Sequence, residues 1–253
     1  MEKALFFSDI DNTLIYSKKH PHEGWPCVEW IHEVEQAYMS PATIKALRQI
    51  NLHGAFIPVT SRSIDQYNRI RFPEGCRPRY AITTNGARLL VDGVPDEKWS
   101  RESNRLIEPY RMELDRQFGL LSPKDCFIRC RMVDDAYLFV YVNKETDPIT
   151  TAKSIAKETT LTVFASGKKI YLMPPDIHKG TAVKRLAKMI DCQKVLCAGD
   201  SDMDLPMLRV ADVAIIPRQL RQYCTENKSL VCPEGQLFSE FATQTAERLT
   251  AEE

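Results

Sequence analysis

No stretch of this 253-residue chain stays apolar over the ~20 residues that a helix needs to cross a bilayer, so a membrane span is not expected. Net charge is missing as well. Lys plus Arg and Asp plus Glu both number 34, which leaves no global basic field to draw the chain to nucleic acid or to an anionic membrane. Eight cysteines are present but no Cys-x-x-Cys pair, and several fall in strand-like segments, so reduced thiols are expected rather than zinc or a disulfide framework. Internal repeats and low-complexity tracts are lacking too, and the length suits one large domain or two small ones. The first strand-like segment starts almost at the N-terminus. That leaves no room for a secretory signal, and the expected location is cytoplasmic.

What the chain does have is a short apolar segment, 4–8, that runs into Asp9 and Asp11. Alternate side chains of a strand point to opposite faces, so carboxylates at i and i+2 beyond its end emerge on one side, close enough to share a cation. Three more polar signatures follow, each after its own apolar strand: Val59-Thr60-Ser61-Arg62, His178-Lys179-Gly180, and Gly199-Asp200-Ser201-Asp202-Met203-Asp204. Four such groups in series are a far stronger signal than the first pair alone.

Between the signatures the pattern alternates strand and helix. A polar, aromatic stretch at 20–38, with Trp25 and Trp30, reads as a small hairpin or flap. Ser40-Pro41 caps a helix that Gly54 closes, followed by a strand at 55–59, a helix at 63–71 and a strand at 80–84. This order argues a parallel sheet with crossover helices. From residue 87 the pattern changes to a hairpin at 88–94, a helix at 101–118, strands at 126–133 and 136–142, a helix at 147–158 and a hairpin over 161–173. After Pro174-Pro175 the alternation returns with a helix at 180–190, a strand at 194–198, a helix at 204–210 and a strand at 213–216. A last helix near 237–249 carries no expected chemistry. The expected fold is thus α/β: a Rossmann-like parallel-sheet core over 1–86 and 176–253, with an inserted α+β module over 87–175. Ligands of such open sheets sit beyond the carboxyl ends of the strands, where all four signatures fall.

Phosphoryl transfer is the chemistry that needs both a divalent cation and an anion pocket at such a place. Asp9 is the candidate nucleophile and Asp11 the candidate acid and base. Thr60 and Lys179 are placed to hold phosphate oxygens. Asp9, Asp11, Asp200 and Asp204 repel one another without a cation, and an all-oxygen donor set beside phosphate favours Mg²⁺.

With DIDNT, VTSRS, HKG and GDSDMD in this order, the chain resembles the haloacid dehalogenase-like phosphatases, over residues 4–216. The position of the insert, with TTNGA at 83–87, resembles the branch with a large α/β cap, which includes Cof-type, sucrose-phosphate phosphatase-like and mannosyl-phosphoglycerate phosphatase-like enzymes and phosphomannomutase. The resemblance implies Asp9 as nucleophile and metal ligand, and Asp11 as acid/base with its backbone carbonyl on the metal. It implies Thr60 and Lys179 on phosphate, Asp200 on the metal, and Asp204 orienting metal-bound water. Many relatives carry Asn where this chain has Met203, which puts one substrate or supporting contact in question.

Blander readings stand beside these. Thr60 alone is a strand-end threonine, and Asp200 and Asp204 alone are a helix cap and a first-turn acid. Ser61, Arg62 and Asn85 are candidate substrate contacts; Arg62, Asn85 and His178 fit turn or cap hydrogen bonds equally well. Arg129 and Arg131 share a strand face, on an anionic substrate or simply on an exposed sheet. The expected function is a Mg²⁺-dependent phosphatase acting on a small phosphorylated metabolite, foremost a sugar phosphate. The alternatives are a phosphomutase, or a phospho-metabolite-binding module without turnover. Oligomeric state is not readable from the sequence.

Overall fold

The computed structural model describes residues 4–53, 55–122, 124–224 and 228–251. The chain divides into two compact units, Met1–Asp96 with His178–Glu253, and Glu97–Ile177.

In the first unit β1 (Ala4–Ser8) is buried at every position, as a central parallel strand covered on both faces must be. A flap follows, made of β2 (Tyr16–Ser17), β3 (Cys27–Ile31) and β4 (Val34–Tyr38) in the antiparallel order β2-β4-β3. His32 and Glu33, both with positive φ, form the tight turn between β3 and β4. Helix α1 (Pro41–Leu52) starts as Ser40 and Pro41 foretold: the Ser40 hydroxyl accepts from the Thr43 N–H at 3.1 Å. Its expected stop at Gly54 lies outside the described residues.

Strand β5 (Phe56–Pro58) leads to α2 (Ile64–Tyr67), which is far shorter than the helix expected over 63–71. Ser63 and Gln66 form a capping box that starts it, but Ile70 then bridges to Glu29 and the Arg71 N–H donates to the Val28 carbonyl. Pairing with the flap takes the backbone away from the helix. Next come β6 (Tyr80–Thr83), β7 (Arg88–Val91) and β8 (Val94–Pro95), an antiparallel sheet of their own. The hairpin at 88–94 therefore groups with the first unit rather than the insert, because β7 pairs along the whole of β6.

The second unit opens with α3 (Glu97–Ile107) and α4 (Arg111–Leu121). One helix was expected over 101–118; Pro109, in the turn Glu108–Tyr110, lacks an N–H and breaks it. Strands β9 (Phe127–Val133) and β10 (Tyr137–Val142) meet at Asp134-Asp135, whose positive φ values form the hairpin turn. Helix α5 (Pro148–Ala156) and the hairpin of β11 (Thr162–Ser166) and β12 (Lys169–Met173) complete an antiparallel sheet in the order β11-β12-β10-β9.

The chain then returns to the first unit with α6 (Lys179–Met189), β13 (Lys194–Ala198), α7 (Leu205–Leu208), β14 (Val213–Ile216), β15 (Lys228–Val231) and α8 (Phe238–Ala251). The core sheet is parallel throughout, in the order β15-β14-β13-β1-β5. Strand β15 was not anticipated; it is short and only half buried at the sheet's edge, so it carries little apolar pattern. No described helix is long and apolar enough to cross a membrane, and all eight cysteines are free.

Candidate functional site

Parallel register brings the signatures together. Ser8, the last residue of β1, lies opposite Pro58 of β5 and Ala198 of β13. The Asp9 N–H donates to the Ala198 carbonyl at 2.9 Å, and the Val59 N–H donates to the Ser8 carbonyl at 2.7 Å. Asp9, Thr60 and Asp200 thus each lie just past the carboxyl end of one of three adjacent strands. Asn12, at positive φ, turns the backbone directly after Asp11.

Two glycines let the remaining pieces approach. A Cβ on Gly180 would stand 2.2 Å from the Pro206 carbonyl oxygen, and one on Gly199 would stand 2.4 Å from the Asp204 Cβ. Neither clash is with a flexible side-chain end, so both positions require glycine. The first residue of α6 is thereby pressed against the loop that carries the acids.

That residue is Lys179, and only 2% of it is exposed. Its Nζ donates to Asp9 Oδ1 and to Asp204 Oδ1, both at 2.5 Å. Burial alone pushes this ammonium toward neutrality, but the Asp204 and Asp9 carboxylates outweigh it and hold the lysine charged. Asp204 spends its other oxygen on the loop: Oδ2 accepts from the N–H groups of Asp200 and Ser201 and from the Ser201 hydroxyl, at 2.9 to 3.1 Å. It clamps residues 199–201 while it pairs with Lys179.

Asp9, Asp200 and Asp204 each offer a carboxylate oxygen within 4.8 Å of the others. One ammonium does not neutralise three such acids. Asp9 is raised well above the usual carboxylate range, mainly by burial and further by Asp204 and Asp200, against the pull of Lys179. Asp200 is raised to about 6, by burial first and Asp204 next. A hard divalent cation removes this repulsion, and the all-oxygen set fits one. Asp9 and Asp200 each accept a side-chain hydrogen bond at Oδ1 only, whereas both oxygens of Asp204 accept hydrogen bonds, so Asp9 and Asp200 are the better placed ligands.

Asp11 stands apart from this cluster. Its carboxylate is half exposed and accepts a fork from Arg62, with Nε to Oδ2 at 2.8 Å and Nη2 to Oδ1 at 2.7 Å. The same guanidinium donates a second fork to Glu29 of the flap, at 2.8 and 2.9 Å. Burial lowers the pKa of Arg62, but the two carboxylates raise it further, so it remains charged. The Thr60 hydroxyl accepts from the Arg62 N–H at 3.1 Å, and the Asn85 N–H donates to the Thr60 carbonyl. Ser61 is partly buried between them. His178 caps α6, its Nδ1 accepting from the Thr181 N–H. Met203 is buried and apolar, and the contact between Lys179 and Asp204 does not pass through it.

Comparison with known proteins gives matches to part of the sequence and to the whole fold. Residues 122–222 match the family model of the haloacid dehalogenase-like hydrolases. The chain is 30% identical over 135 residues to a phosphoglycolate phosphatase of Pyrobaculum islandicum and 31% identical over 135 residues to that of Pyrobaculum aerophilum. These matches cover 53% of this chain, which spans about half (54%) of the length of each relative. The fold is similar to that of the sucrose-phosphatase of Synechocystis solved with sucrose and phosphate, with a TM-score of 0.68 at 16% identity over 99% of both chains. It is also similar to a trehalose-6-phosphate phosphatase related protein, with a TM-score of 0.59 at 16% identity over 98% of this chain and 99% of that one.

Two members of the site escaped the sequence reading. Glu29 lies in a flap that showed only partial alternation, and nothing local marks it as the anchor of Arg62. Thr13 donates to Asp200 Oδ1 at 3.3 Å; its place in DIDNT was the available signal. In the second unit, Arg131 lies over the Phe139 ring at 5.3 Å. Lys168 donates to the carbonyls of Lys144 and Thr146. Trp30 packs under Arg71, and Trp25 stacks with His20.

Proposed function

We propose that the chain is a divalent-metal-dependent phosphomonoesterase acting on a small phosphorylated metabolite. The observation that carries this reading is the buried Lys179 bridging Asp9 and Asp204 beside Asp200. A carboxylate at the end of a central strand, held by an ammonium where an anion must dock, is arranged for nucleophilic attack on phosphorus.

Asp9 is the nucleophile in this reading. Its carboxylate oxygen bonds to phosphorus, the bond from phosphorus to the substrate oxygen breaks, and Asp11 gives that oxygen its proton. Water then attacks the aspartyl-phosphate while Asp11 takes up a proton; the bond between phosphorus and Asp9 breaks and free phosphate leaves. Lys179 offsets the negative charge that accumulates as phosphate meets Asp9, and Thr60 supplies a hydroxyl at the same strand ends. Arg62, Ser61 and Asn85 line the turn beside them, with Arg62 fixing the Asp11 carboxylate. Asp9 and Asp200, with the Asp11 backbone carbonyl, would hold Mg²⁺, which supplies positive charge to the phosphate oxygens when bound.

A sugar phosphate is the first substrate class to try, since similar folds carry sucrose- and trehalose-phosphate names; phosphoglycolate is the second, from the sequence relatives. The test is phosphate release from a panel containing both classes, in Mg²⁺ and in EDTA. Release that requires Mg²⁺ supports the reading. A panel with no release under either condition overturns it.

A further inference from the structure

A second concave site lies at the amino end of β6, away from the carboxyl ends where the acids gather. It is a cavity of about 300 Å³ in the first unit, walled by Tyr67, Arg71, Phe72, Arg77, Arg79 and Leu90 among others. That volume is at the lower end for small-molecule sites, enough for a compact metabolite. None of its lining residues belongs to the acid cluster.

Its chemistry is one-sided. Three arginines line it. Arg77 makes no ion pair among the described residues, and Arg71 stacks on Trp30 at 4.9 Å, which leaves its N–H groups unused. Arg79 lies over the Tyr80 ring at 5.3 Å and has Asp92 at 3.9 Å, both side chains of that ion pair being exposed. A largely buried tyrosine adds a neutral donor to the wall. Tyr67 is only 8% exposed and lines the cavity, and its hydroxyl has no hydrogen-bond partner among the described residues. The ring is buried while the hydroxyl still reaches solvent, and a tyrosine placed this way normally finds a polar partner at that end. Burial raises its pKa, with Arg77 acting the other way, so the group is a neutral donor beside a guanidinium. Phe72 packs against Tyr67, with ring centroids 6.0 Å apart, and provides a flat apolar wall.

We propose that this cavity binds a small organic anion, through a carboxylate or phosphate group held by Arg77, Arg79 and the Tyr67 hydroxyl, with a planar or apolar body against Phe72 and Leu90. Guanidiniums match the planar oxygens of either group by paired hydrogen bonds, and the aromatic wall excludes bare inorganic ions as the preferred occupant.

Calorimetric titration of the full chain with phenylphosphonate, benzoate and inorganic phosphate tests this site. Phenylphosphonate and benzoate separate the two head groups, and inorganic phosphate lacks the apolar body. Wild type is expected to show a class of binding for at least one of the two aromatic anions that weakens tenfold or more in R77A/R79A. The same class should weaken severalfold in Y67F, which retains the ring and its packing. Phosphate release catalysed by R77A/R79A should remain that of wild type, which separates this cavity from the site at Asp9. Binding of both aromatic anions that is identical in wild type, R77A/R79A and Y67F overturns the proposal, as does wild type that binds neither at millimolar concentration.

Discussion

At the residue scale the centre of the site is a charge imbalance, three clustered acids against one buried ammonium. Replacing Lys179 by Met leaves Asp9 and Asp204 facing each other without compensation, which costs about 3–5 kcal/mol for a buried pair. Denaturant unfolding measures that loss, and Mg²⁺ should restore more stability to K179M than it adds to wild type. An equal Mg²⁺ effect in both would mean that cation and lysine do not share a role. Asp200 gives a pH signature. Its folded pKa of about 6 lies above the ordinary carboxylate value, so the folded chain binds the extra proton between roughly pH 4 and 6. Stability without metal should therefore fall as pH rises through that window. Saturating Mg²⁺, or the D200N substitution, should flatten the slope in thermal unfolding series across that range.

At the element scale, short segments hold the site in place. The flap strand β3 supplies Glu29, which is 5% exposed and anchors an Arg62 that is 12% exposed, while the Asp11 carboxylate is 51% exposed. The buried half of this chain of ion pairs thus positions the exposed half. E29A is expected to lower kcat about tenfold with little change in KM, because a misplaced acid/base affects the chemical step more than ground-state binding. Steady-state kinetics on the best substrate checks the split; a rise in KM alone would make Glu29 a binding residue instead. Gly180 belongs to the same scale. In G180A the new Cβ meets the Pro206 backbone, and overpacking of this kind costs about 1–3 kcal/mol, read as a lowered denaturation midpoint.

At the scale of the whole molecule, the parallel core was readable because its strands are short, apolar and separated by capped helices. Ser40 before α1 and Asp147 before α5 mark their helices as the sequence suggested. What escaped was decided by tertiary pairing. Residues 68–71 carry a helical pattern, but bonds to β3 override it, and β7 follows β6 out of the region assigned to the insert. The meeting of Asp9, Lys179, Asp200 and Asp204 was legible because parallel register sends every such segment to the same end of the sheet. Arg62 was legible only as a candidate, since its partner Glu29 lies 33 positions away in a weakly patterned flap. Unfolded in denaturant, the chain should titrate as eight free thiols, the count its separated cysteines require.

The most direct test compares phosphate release by wild type and D9N on the same substrates in Mg²⁺, with circular dichroism to verify that both are folded. Release should drop by about 10³-fold or more in a folded D9N, because Asp11, the other acid beyond β1, is held by Arg62 away from the Lys179 cluster. A folded D9N that retains wild-type release would remove Asp9 from the chemistry, and the mechanism with it.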